Sequence, residues 1–136
     1  MRYEIIPRTL IISIFAFSAI GKLNDIETVY LHIDEVMPFI KINALIEIVS
    51  FYIPLLELTL CLALLTRHTR QISYIISIAL SLAFLIFVLL LEVDANCGCF
   101  GSALKLTHTQ SVILDISLIS FASLGLFLSR KSSKEA

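Results

Sequence analysis

Apolar residues in this chain gather into four long runs instead of alternating with polar ones. The runs cover about residues 5–23, 44–65, 72–93 and 109–129, and each is apolar on every side apart from isolated polar positions. A lipid hydrocarbon core about 30 Å thick needs roughly 20 residues of helix at 1.5 Å rise each. All four runs meet that length. A helix apolar all round is either deeply buried or faces lipid, and a chain of 136 residues is too short to bury four of them. Local β-branched stretches such as Tyr74-Ile75-Ile76 do not change this reading. They lack the period-two alternation of a membrane strand, and the runs are twice as long as such a strand. The pattern predicts an all-α integral membrane four-helix bundle, one domain over residues 1–136, with the lipid bilayer as its first partner.

Between the first two runs, Val29, Tyr30, Ile33, Val36 and Met37 have the spacing of a short amphipathic helix that ends before Pro38-Phe39. It is expected to lie on the outer surface of the bundle. The first run has a basic start and small residues at Ala16 and Ser18, features shared with a cleaved leader. It is expected to be retained, because Gly21-Lys22-Leu23 at its end carries meaning of its own.

Composition sharpens the picture. Hydrophobic residues make up 58% of the chain and charged residues 15%, against about half and a quarter in a soluble domain. Mean hydropathy is +0.96. The net charge of −1 leaves no basic face for nucleic acid. The basic residues are distributed unevenly: Arg2, Arg8, Arg67, Arg70, Arg130, Lys131 and Lys134 fall on one side, and Lys22, Lys41 and Lys105 on the other. The positive-inside bias therefore predicts both termini in the cytoplasm, with the loops at about 24–43 and 94–108 facing outward.

The third loop carries Cys97-Gly98-Cys99, followed by Phe100 and Gly101. Outside the cytoplasmic membrane, disulfides form and persist. Two cysteines separated by one residue bridge only if the backbone folds sharply, and glycine permits the dihedrals required. A ring this small is strained, and strained exposed disulfides tend to be labile or catalytic. It also closes too short a loop to stabilise the fold by much. A metal site would call for about four ligands, and only Asp94, His108 and His32 stand as further candidates, so no metal is expected. Inert thiols are the bland alternative. Cys61, inside the second run, reads as a small buried hydrophobe.

Ionisable residues inside a membrane are costly, so each raises a functional question. Glu57 is the deepest. Pro54 and Cys61 share its helix face, and Pro54 should kink this helix and free a carbonyl for water or a partner side chain. Glu57 either ties helices together or acts as a proton carrier or quinone contact. Lys22, Glu47, Glu92 and Asp115 fall near the outer ends of their helices. Asp115, two turns into the fourth, is placed to pair with Lys22 and close the bundle beneath the cysteines; otherwise Lys22 snorkels to the headgroups. His32 and His108 are candidate acid–base partners for a thiol.

Gly21-Lys22-Leu23, Pro54-Leu55-Leu56-Glu57-Leu58 and Cys97-Gly98-Cys99-Phe100-Gly101 together resemble the MauE family, within the DoxX-like membrane proteins. Asp115 sits where such proteins often have a polar residue. The resemblance implies a multi-pass protein of the bacterial inner membrane, with the Cys-Gly-Cys loop periplasmic. It implies work in maturing a disulfide-rich periplasmic client beside a thioredoxin-like partner, as in methylamine utilisation. The layout is also similar to that of quinone-linked disulfide-forming proteins, which makes a quinone the candidate cofactor. The expected function is a thiol–disulfide redox component with Cys97 and Cys99 catalytic. Glu57, Lys22, Asp115, Gly98, Phe100, Gly101 and Pro54 would support them. The competing classes are a non-enzymatic membrane assembly factor whose cysteine pair is structural, and a small transporter subunit resting on Glu57 and Asp115. The absence of a discontinuous repeat pair argues against the last.

Overall fold

The computed structural model describes residues 2–36, 38–90 and 107–135. They form five helices: α1 (Arg2–Asn24), α2 (Ile26–Val36), α3 (Asn43–Leu65), α4 (Arg70–Leu90) and α5 (His108–Glu135). No strand occurs among the described residues. The four long helices, of 21 to 28 residues, reach about 31–42 Å at 1.5 Å per residue, enough to cross a bilayer. All four are apolar enough to do so. Residues 91–93, the expected end of the third span, lie outside the described residues. The last helix continues beyond its expected end at residue 129 to Glu135. Hydropathy marks only the lipid-spanning part, and nothing in Arg130-Lys131-Ser132-Ser133-Lys134 breaks a helix once it leaves the lipid.

The helix ends are set by short-range hydrogen bonds. At the end of α1, Asp25 N–H donates to Lys22 O over 3.2 Å. Asp25 then caps α2: Thr28 N–H donates to Asp25 Oδ1 at 3.2 Å and Thr28 Oγ1 donates to Asp25 Oδ2 at 2.8 Å. Between α3 and α4 the Thr66 and Thr69 hydroxyls both donate to Ala63 O, at 2.9 and 2.8 Å, covering a carbonyl orphaned at the end of α3. Thr107 and Gln110 form a reciprocal capping box at the start of α5. Gln110 N–H donates to Thr107 Oγ1 at 3.4 Å, and Thr107 N–H donates to Gln110 Oε1 at 3.1 Å.

Helix α1 packs against α3 and α5, and α4 against α5 and α3, which closes a four-helix bundle. The α4–α5 contact is the most extensive. The short helix α2, which the apolar spacing in the first loop predicts, packs against α3. Its Val29 and Ile33 are buried with Ile46, and Tyr30, Ile53 and Phe87 pack around them. Met37 and the side chain of Val36 lie outside the described residues.

The bundle is apolar outside and mixes polar with apolar side chains inside. Ile6, Ile20, Ile48, Leu55, Leu62, Leu90 and Phe127 are more than half exposed, whereas Ser50, Glu57, Ser77, Ser81, Ser111 and Asp115 are buried. Water would favour the reverse, since large apolar side chains gain most from burial. In lipid the outward apolar surface needs no burial, and small or polar residues let the helices approach closely. The tightest example is Gly125 of α5, where a built Cβ atom would fall 2.5 Å from Tyr74 Cε1.

Candidate functional site

Cys97, Gly98, Cys99, Phe100 and Gly101 lie outside the described residues, as do Glu92, Asp94 and Lys105. The helices on either side of that segment are joined at its base. His108 Nε2 is 3.0 Å from Val88 O. A carbonyl can only accept, so this ring nitrogen carries the proton and donates. The bond holds the first turn of α5 to the last turns of α4. Leu90 and Thr107, the described residues on either side of the cysteines, therefore lie at the same end of the bundle. His32, the other expected acid–base partner, sits on α2, where its Nδ1 donates to Thr28 O at 2.6 Å.

Beneath that end, the bundle interior brings together three of the ionisable residues read from the sequence, Lys22, Glu57 and Asp115. Lys22 is 4% exposed, Glu57 0% and Asp115 3%. Lys22 Nζ donates to Glu57 Oε1 at 2.7 Å. Ser18 Oγ donates to the same oxygen at 3.3 Å. The ammonium also lies 4.2 Å from the centroid of the Phe84 ring on α4, a cation–π contact. Asp115 comes from α5 and borders a small void with Ser18, Glu57, Phe84 and Leu118.

This corrects the expected pairing. Lys22 was expected to bond to Asp115, or else to snorkel outward; instead it turns inward and bonds to Glu57. Two geometric facts account for the difference. Helical side chains lean toward the N-terminus of their helix, so an extended lysine in the last turn of α1 reaches back about one turn, to the level of Ser18. Helix α3 extends past the end of α1, its Ile46 packed with Val29 and Ile33 of α2, so Glu57, in the middle of α3, falls at the level of Ser18. Depth counted along each helix separately does not reveal this stagger.

The shared face expected for Pro54, Glu57 and Cys61 is present: all three are buried, in line with Ile46 and Ser50. Helix α3 runs on through Pro54, whose missing N–H leaves the Ser50 carbonyl without its usual helical donor. Cys61 packs with Ile11, Phe15, Leu64 and Tyr74. Its thiol lies 3.6 Å from Ile12 O, in accord with a small buried hydrophobe.

Sequence reasoning overlooked several residues. Ser18 and Phe84, which complete the surroundings of Glu57, are ordinary residue types for a membrane helix and carry no local signal. The line Ser73-Ser77-Ser81 on α4 was readable from its four-residue spacing, and all three are buried. Ser77 Oγ, Ser81 Oγ and Tyr74 OH have no hydrogen-bond partner among the described residues. At the other end of the bundle, Arg70 Nη1 donates to Glu4 Oε1 at 3.1 Å, tying the starts of α4 and α1 together.

Residues 3–128 match the sequence profile of a family described as methylamine utilisation protein MauE. No curated protein and no solved structure gives a significant match.

Proposed function

The chain belongs to the MauE family, and on that premise we propose that it is a thiol–disulfide component of the bacterial cytoplasmic membrane. In this reading Cys97 and Cys99 cycle between dithiol and disulfide on the periplasmic side. The observation that carries it is the Cys-Gly-Cys sequence in the segment between α4 and α5. Arg67, Arg70, Arg130 and Lys131 lie at the opposite end of these helices. The basic bias supports a cytoplasmic position for that end and an outside position for the cysteines, where a disulfide persists.

A thiolate of a thioredoxin-like partner attacks one sulfur of the Cys97–Cys99 disulfide and forms a mixed disulfide. The other cysteine leaves as a thiolate and takes up a proton. The partner's second thiol then displaces the mixed disulfide. The partner becomes oxidised, and Cys97 and Cys99 are left as a dithiol after a net transfer of two electrons and two protons. Restoring the disulfide would require a two-electron, two-proton acceptor, for which a membrane quinone is the candidate class. Run in reverse, the same exchange sends reducing equivalents outward to a disulfide-containing client. Gly98 lets the small ring close.

Serine at either position 97 or 99 tests the reading. Both variants are expected to insert normally and to lose maturation of the disulfide-containing client. Normal maturation in both contradicts a redox role. A cysteine pair that stays oxidised in glutathione, in a protein that still supports its client, would instead indicate a structural loop on an assembly factor.

A further inference from the structure

We propose that Lys22, Glu57 and Asp115 form a proton-binding site in the core of the bundle, with one proton held on Asp115 beside an intact Lys22–Glu57 ion pair. The argument rests on charge and geometry. One ammonium and two carboxyl groups are enclosed together, each at most 4% exposed, inside helices whose outer faces are apolar. With both carboxylates ionised, an uncompensated negative charge would remain in a medium that solvates charge poorly, a state that buried clusters avoid. One proton removes it.

The hydrogen bonds decide where that proton sits. Glu57 Oε1 accepts from both Lys22 and Ser18, which suits the ionised partner. Asp115 Oδ2 and Glu57 Oε2 have no donor among the described residues. The void that Glu57 and Asp115 share has about 10 Å³ of room for a water's centre, near the lower limit for one water. A protonated Asp115 donates into that space. Among the described residues, the groups facing the site leave no other counter-charge. Lys22 and Ser18 come from α1, Cys61 lies one turn away on α3, and α4 contributes the uncharged Phe84 ring, already occupied by the Lys22 ammonium. Asp115 can thus give up or accept a proton while the ion pair between α1 and α3 stays closed, which makes it the acid–base group of the bundle interior. This inference does not depend on the cysteines.

Infrared spectroscopy of the full-length protein in lipid nanodiscs at neutral pH tests it, through the C=O stretch of a protonated side-chain carboxyl. Wild type and a Cys97→Ser/Cys99→Ser double variant are both expected to show the band, whatever the outcome for redox activity. Asp115→Asn, which leaves the ion pair untouched, is expected to abolish it. Glu57→Gln is expected to abolish it as well, because Asp115 then ionises to pair with Lys22. Lys22→Met is expected to raise it roughly twofold, since both carboxyls then take up protons. A wild-type spectrum without the band, or a band unchanged in Asp115→Asn, overturns the proposal; the latter variant decides the matter even where the other two fold poorly.

Discussion

Lys22 Nζ donates to Glu57 Oε1 over 2.7 Å, joining the last turn of α1 to the middle of α3 with both side chains enclosed by the bundle. An exposed ion pair contributes little to stability, but breaking an enclosed one costs more, because the group left behind must lose its charge or find another partner. Lys22→Met and Glu57→Gln are each expected to destabilise the protein by about 1–3 kcal/mol. That is less than a stranded charge would cost, because the remaining carboxyls take up protons or Asp115 replaces Glu57 as the partner of Lys22. The double variant should cost clearly less than the two single changes added together. Unfolding in bicelles, analysed as a double-mutant cycle, checks this; strict additivity would mean that the two side chains do not interact.

Gly125 sets the closeness of α4 and α5. A Cβ there would meet Tyr74 Cε1 at 2.5 Å and Cζ at 2.6 Å. Gly125→Ala is therefore expected to destabilise the bundle by about 1–3 kcal/mol through overpacking. Trimming the ring with Tyr74→Leu should recover part of that loss. Thermal denaturation of the two single variants and their combination measures the compensation.

The buried hydroxyls of Ser77 and Ser81 carry no partner among the described residues. Removing a hydroxyl that makes no bond forfeits nothing and relieves its desolvation. Ser77→Ala and Ser81→Ala are expected to be neutral or to stabilise by about 1 kcal/mol. A loss of similar size in the unfolding assay would reveal a hydrogen bond of these hydroxyls in the membrane.

Cys61 packs as an apolar group near Ile12 O. Cys61→Ala is expected to cost about 1 kcal/mol of stability through the cavity it leaves and to preserve client maturation. Loss of maturation in a well-folded Cys61→Ala protein would make this thiol a relay.

The spans and the surface helix were legible because each rests on a local pattern: uninterrupted apolar length for the four long helices, and the Val29–Ile33 spacing for α2. Chemistry concentrated in a few residue types was legible too, since Lys22, Glu57 and Asp115 stand out against an apolar background, and all three converge. Their pairing was not. It depends on how far α3 stands above α1, a relation between helices that neither sequence encodes locally. The Glu4–Arg70 contact, across 66 positions, was hidden for the same reason. The start of the last span is legible both from the apolar run and from the capping-box spacing of Thr107 and Gln110.

The redox state of Cys97 and Cys99 in intact cells bears most directly on the central claim. Differential alkylation with a membrane-impermeant reagent, followed by mass spectrometry, separates dithiol from disulfide and reports which side of the membrane they face. The thiol–disulfide account predicts a mixed population, labelled from outside, that shifts with added oxidant or reductant and with loss of respiratory quinone. A pair fixed in one state under all of these conditions would contradict it.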